Sequence, residues 1–252
     1  MTLHLSTTGP IARLFIDRPE KRNAFNQAMW DALPDLLARA MADPAVRVLI
    51  VASAADGIFC AGADIGELLA RKDDAAWRAA NQAAINRAQH VLARADKPVI
   101  AFIDGDCVGG GCGLALACDI RVATPRARIG ITPAKLGLVY PLHDTKLLVD
   151  LVGPGQAKRM LFTGALLDAE EALRIGLVDM IADSADDLAA TIAAASPHSC
   201  RAIKRLVRRI LDGQVDDDAA TLAVFSDAFT GPDFVEGTRA FVEKRAPLFR
   251  PG

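Results

Sequence analysis

The chain has 252 residues, 52% of them hydrophobic and 24% charged, with a formal net charge of −2. These values predict a sizeable packed core, in one large domain or one domain with an appendage, and exclude a disordered chain. The charge balance excludes a broad nucleic-acid surface, and no 18-residue apolar window free of charge predicts a membrane span.

The opening "MTLHLSTTGPIARLFIDRP" reads as strand, turn, strand rather than as a signal peptide. Strands are predicted over Ile11–Ile16, Val46–Ala52, Val99–Ile103 and Asp119–Ala123. Between them, Asn26–Ala42 places Met29, Trp30, Leu33, Leu36, Leu37 and Met41 largely on one helical face, and Asp74–Ala93 is helical by composition. This alternation implies a parallel or mixed sheet with crossover helices, an α/β fold. Beyond about residue 140 the pattern turns helical. "DTKLLVDLVG" and "GQAKRMLFTG" read as two short helices stopped by glycine, followed by helices over Asp168–Ile175, Ala185–Ala195, Pro197–Leu211, Asp216–Phe229 and Asp233–Arg245. The division is a core over 1–195 and a helical appendage over 196–252.

Cys60, Cys107, Cys112, Cys118 and Cys200 match no zinc spacing and are expected to be reduced thiols of a cytoplasmic protein. His4, His90, His143 and His198 show no ligand spacing, so no metal is expected.

The stretch "CVGGGCGLALACD" (107–119) sets four glycines between a strand and a helix. Neither Gly109-x-Gly111 nor Gly111-x-Gly113 continues into a dinucleotide fingerprint, and no phosphate-binding loop of the lysine type is present. What remains is a helix N-terminus that a partner can approach closely. That suits strand–helix packing, an oxyanion hole, or a carboxylate or phosphate site. A second junction, "FCAGADIGEL" (59–68), also carries small residues between a strand and a helix. Two such junctions can each give one N–H to a single oxygen, as a thioester carbonyl gaining enolate charge requires.

Taken in order, "RPEKRNAFN" (18–26), "FCAGADIGEL" (59–68), "KPVIAFIDGDCVGGGCGLALACDIRVAT" (97–124), "TPAKLGLVYP" (132–141), "AKRMLFTGALLDAEEALRIGLVD" (157–179) and "FVEGTRAFVEKRAPLF" (234–249) resemble the crotonase superfamily, the enoyl-CoA hydratase/isomerase family, over nearly the whole chain. The resemblance implies a spiral of ββα turns with an all-helical C-terminal region that builds trimers or hexamers. It implies an acyl-CoA substrate with no separate cofactor, and an oxyanion hole formed by the N–H groups of Ala63 and Gly110. Lys21, Arg22 and Ala24, with Ala61, Asp64 and Ile65, would line the CoA channel. Phe241 and Lys244 would approach the nucleotide, often across a subunit boundary.

The chain departs from the family pattern where hydratases of the family carry two glutamates that position water. Here those positions hold Gly113 and Pro133, which do not titrate. Tyr140, the one tyrosine, occupies a position shared with relatives similar to methylmalonyl-CoA decarboxylase, but their partner histidine is replaced by Ala63. Asp144 reads either as a helix N-cap or as an inward-facing base. His143 reads as a surface histidine, Asp106 as a turn residue, and Glu67 as complementing a helix dipole. Arg201, Lys204, Arg205, Arg208 and Arg209 form a basic stripe expected to face solvent, opposite Ile203, Leu206, Val207 and Ile210. Asp216–Asp218 is expected to begin a helix. The expected function is enolate stabilisation on an acyl-CoA by Ala63 and Gly110, with Tyr140 and Asp144 as candidates for the proton work. The alternatives are acyl-CoA decarboxylation and acyl-CoA binding without turnover.

Overall fold

The computed structural model describes residues 2–250. An antiparallel hairpin opens the chain, β1 (Leu3–Thr8) and β2 (Ile11–Ile16). Helix α1 (Gln27–Ala42) follows, its N-cap Asn26 accepting from Met29 N, and it buries Met29, Trp30, Leu33, Leu37 and Ala40. Three successive turns then repeat one plan. β3 (Val48–Ser53) and β4 (Ile58–Cys60) precede α2 (Ile65–Arg71) and α3 (Ala75–Ala93). β5 (Val99–Ile103) and β6 (Asp106–Val108) precede α4 (Gly110–Leu116). β7 (Ile120–Ala123) and β8 (Arg128–Gly130) precede α5 (Leu142–Thr163). The remaining elements are β9 (Leu166–Asp168), α6 (Ala169–Arg174), β10 (Met180–Ile181), α7 (Asp186–Ala194), α8 (Pro197–Leu211), α9 (Ala219–Ala228) and α10 (Pro232–Glu243).

Each turn sends its first strand to a six-stranded sheet, ordered β1-β2-β3-β5-β7-β10, and its second to a four-stranded sheet, ordered β4-β6-β8-β9. Within the spiral the neighbours are parallel: β3 with β5, β5 with β7, β4 with β6, β6 with β8. The strand β3 reads as an unbroken apolar run because helices or strands cover both its faces. Leu49 and Val51 join the main core, and Val48, Ile50 and Ala52 a smaller one beneath α7. The architecture is the expected spiral of ββα turns.

The span α5 is the two short helices expected after residue 140: the first stops at Gly153 (φ 72, ψ 165), Pro154 starts the second, and Gly164 ends it in a left-handed conformation. One expectation needs correction. The basic stripe of α8 does not uniformly face solvent. Lys204 Nζ donates to Asp119 Oδ2 at 2.7 Å and to Lys97 O at 2.9 Å. These acceptors lie just ahead of β7 and β5, so a cation is drawn onto the core side. The apolar residues Ile203 and Ile210 are instead 60% and 66% exposed. The acidic run 216–218 does start a helix: Asp218 caps α9 in a reciprocal capping box with Thr221. Among the described residues, no helix is long and apolar enough to cross a membrane.

Candidate active site

The two glycine-rich junctions meet because their strands are neighbours. Parallel pairing of β4 with β6 sets Cys60 opposite Cys107, so the chain leaves both strands at one edge. Gly62 makes the approach possible. Its φ is +100°, and a Cβ there would stand 2.8 Å from Val108 O and 3.3 Å from Gly110 N. Any side chain would hold the two junctions apart.

The direction of the Ala63 N–H follows from its bridge to Phe25. Phe25 N donates to Gly62 O (2.7 Å), and Asp64 N donates to Phe25 O (2.9 Å). In a parallel bridge this pattern uses the groups flanking Ala63 and turns Ala63's own N–H to the opposite side. There Gly110, the first residue of α4, lies close. A Cβ built on Gly110 would stand 3.6 Å from Ala63 N. The Gly110 N–H is one of the amides that a helix start leaves without an intrahelical partner. Among the described residues, neither N–H donates to a protein acceptor. Trp30 forms an apolar wall beside Gly110, fixed by its contact with Phe25 at a 4.4 Å centroid distance.

One turn along α4 lies Gly113. A Cβ at this position would meet Asp144 Oδ1 at 2.6 Å, Gln89 Nε2 at 2.6 Å and Tyr140 Oη at 2.9 Å. Three polar side chains therefore occupy the volume in which a side chain at 113 would begin. They arrive from α5, α3 and the segment leading into α5. Asp144 is 2% exposed. It is not the N-cap weighed as one reading: Pro141 holds the cap position, which moves Asp144 into the first turn and inward. Burial pushes its carboxyl from 3.8 up to about 6, against a smaller lowering by the Gln89 amide. Its Oδ1 lacks a bond of normal geometry, as does Gln89 Oε1. The Tyr140 hydroxyl donates to Gly109 O at 3.2 Å. Burial, with Cys112 and Asp144 close by, holds the phenol well above 10. Tyr140 thus braces the start of α4 with its proton in use.

The segment 22–25 runs beside 61–64, with Ala61 N donating to Arg22 O at 3.0 Å. This brings Arg22 and Ala24 to Ala61 and Asp64, with Lys21 on the exposed lip and Ile65 exposed at the start of α2. Asp64 caps α2 through Gly66 N and Glu67 N and pairs with Arg18 at 2.8 Å. Asp106 is not a turn residue. It sits in β6 and takes both the Arg128 guanidinium (2.7 and 2.9 Å) and Arg22 NH2 (2.5 Å). Its place in the strand, beside Arg128 on β8, makes it an ion-pair anchor for the lip. Glu67 lies in the first turn of α2, where its carboxylate accepts from Gln27 N at 2.8 Å. His143 is half-buried rather than a surface residue, and burial, then the His90 charge, lower its pKa.

No hydrogen bond or ion pair among the described residues joins Phe241 or Lys244 to this site. Phe241 is 85% exposed and Lys244 ends α10 in a left-handed conformation. Two residues were missed from sequence. Asn23 is fully buried and ties the 18–26 segment to Ser53 Oγ (2.8 Å) and Phe59 O (3.1 Å). Gln89 is 1% exposed; its signal was the stripe Ile85, Gln89, Ala93 at four-residue spacing on the inward face of α3.

A family model described as enoyl-CoA hydratase/isomerase matches residues 6–251. A crotonyl-CoA hydratase of Syntrophomonas wolfei is 34% identical, the match covering 95% of this chain and 94% of that protein. Among solved structures, an enoyl-CoA hydratase/isomerase family protein of Hyphomonas neptunium superposes with a TM-score of 0.96 at 40% identity, covering 100% of this chain and 98% of its own. An enoyl-CoA hydratase/carnithine racemase of Magnetospirillum magneticum gives 0.95 at 31% identity, covering 100% and 96%.

Proposed function

The chain belongs to the enoyl-CoA hydratase/isomerase family, and on that premise we propose that it is an acyl-CoA enzyme in which Ala63 and Gly110 hold a thioester oxygen while Asp144 moves the proton. The observation that carries the reading is the convergence at Gly113. A carboxylate reaches this point from α5, although residues 113 and 133 carry none.

The chemistry follows from the placement. A thioester carbonyl between the two amides gains hydrogen bonds that strengthen as negative charge moves onto its oxygen, and the N-terminus of α4 adds its dipole. The carbons next to the thioester then lie over the first turn of α4, towards Asp144. A carboxyl titrating at about 6 is largely ionised at neutral pH yet holds a proton well enough to return it. Hydration and double-bond isomerisation both draw on this enolate. Decarboxylation stands second, because a malonyl-type carboxylate at Gly113 would meet the Asp144 charge. The coenzyme belongs to the substrate, with Lys21, Arg22, Ala24, Ala61, Asp64 and Ile65 along its channel. Phe241 and Lys244 reach the nucleotide from a neighbouring copy in a trimer or hexamer. The uncovered α8 residues Ile203, Val207 and Ile210 support such an assembly.

The test is proton NMR of crotonyl-CoA in D₂O with the wild type and Asp144→Asn. Hydration or α/γ-deuteration by the wild type, lost in the variant, is expected. Wild-type inactivity despite acyl-CoA binding, or full activity in the variant, overturns the reading.

A further inference from the structure

We infer that Gln89 is the positioning residue of Asp144, its amide holding the carboxylate over Gly113 from the opposite helix. The inference rests on the reading of Asp144 as the acid–base group and adds to it a second residue from a separate element.

Three observations carry it. Gln89 Nε2 and Asp144 Oδ1 each lie 2.6 Å from the same point, the Cβ position of Gly113, so the amide and the carboxylate converge on the glycine, with no hydrogen bond of normal geometry yet closed between them. Both side chains are buried, at 1% and 2% exposure, so water does not compete for either. Gln89 makes no side-chain hydrogen bond of normal geometry among the described residues, and its Oε1 and Asp144 Oδ1 are both buried without a partner, each beside the other's side chain. A glutamine kept for packing would be better replaced by an apolar residue of the same shape, since a buried polar atom without a partner destabilises the fold. Glutamine also stays neutral. It can favour the charged form of Asp144 by hydrogen bonding without adding a second charge to the site.

The surroundings leave few other groups to set the Asp144 titration. Tyr140, ahead of α5, is held well above 10. The Cys107 thiol in β6 is pushed well above its usual 9.0 by burial, then by Cys112 on α4. His143, beside Asp144 on α5, is pushed below 6.5 by burial, then by His90 of α3 and by Arg94, the residue that caps α3. His143 is therefore the confounding group, and His143→Gln is the control.

The experiment follows the Asp144 carboxyl directly, by carbon NMR of the ligand-free protein labelled at aspartate Cγ, with the Asp144 resonance identified by its loss in Asp144→Asn. In Gln89→Met the midpoint is expected to rise by about one pH unit, the scale of one lost hydrogen bond to a charged group. In Gln89→Glu it should rise further and split into two coupled steps. The acid limb of kcat for crotonyl-CoA should move with the carboxyl, with KM nearly unchanged, while Gln89→Met melts no lower than the wild type at about pH 4, where Asp144 is protonated in both. An unmoved midpoint in both variants overturns the inference. So does an unmoved midpoint in Gln89→Met together with a large fall in its melting temperature, which would make Gln89 a packing residue. Full activity in Asp144→Asn overturns the parent reading instead, and the carboxyl titration tells the two failures apart.

Discussion

Replacing Asp144 by asparagine should make the protein more stable and less active, with a pH dependence fixed in advance. In the folded chain burial raises the carboxyl from 3.8 to about 6. The folded protein therefore holds this proton more tightly than the unfolded chain. As pH rises from about 4 towards 6, the unfolded chain ionises first and stability falls; above that window the whole cost of charging the buried group is present. A gap of about 2 pK units corresponds to about 3 kcal/mol, taken as an upper figure. Asparagine is nearly isosteric, can still accept from Gln89, and carries no charge to desolvate. Asp144→Asn should then exceed the wild type by up to ~3 kcal/mol at pH 7.5, or roughly 6–12 °C in Tm for a chain of this length. The two should converge below about pH 4. Urea unfolding of both proteins at pH 4 and 7.5 measures this. A variant less stable than the wild type at pH 7.5, or an equal difference at both pH values, would refute the argument that burial and not bonding dominates at Asp144.

Gly113→Ala places a methyl carbon 2.6 Å from both Asp144 Oδ1 and Gln89 Nε2. Because side-chain ends give way, we expect the fold to persist while kcat falls by about 100-fold, as for a catalytic group moved by an ångström; circular dichroism beside a turnover assay checks both. Gly62→Ala is harsher, since it combines φ +100° with a 2.8 Å contact to a backbone oxygen. A loss of about 3 kcal/mol or more is expected by urea unfolding, with acetoacetyl-CoA no longer showing an enhanced enolate absorption band. Tyr140→Phe removes only a bond to Gly109 O. It should cost about 1 kcal/mol of stability and leave the acid limb of the pH profile in place. A shifted limb would give Tyr140 a part in proton transfer.

The junctions at Gly62–Ala63 and Gly109–Gly110 were legible because a close backbone approach demands glycine or alanine, and that demand is written at fixed positions. The long strands of the six-stranded sheet were legible as apolar runs. The four-stranded sheet was not, since three-residue strands such as β6 and β8 carry no period to read. Asp144 was ambiguous for a local reason. Its choice between capping and facing inward depends on Pro141 taking the cap, three residues away. Gln89 lay hidden in an alanine-rich helix, where a polar residue looks solvent-facing until tertiary packing covers it. Asp106 was misread because both of its cation partners are distant in sequence, 84 and 22 residues away.

The proposed site divides into halves of different durability. The donors at Ala63 and Gly110 are main-chain atoms, so changing a side chain leaves them present, and only a change of path displaces them. The carboxylate and its amide partner are side chains on α5 and α3, each removable by one codon. A substitution at either codon would thus alter the proposed proton handling while leaving the proposed anion-binding amides in place. In such a site the group that grips the ligand and the group that sets its reaction can change independently of each other.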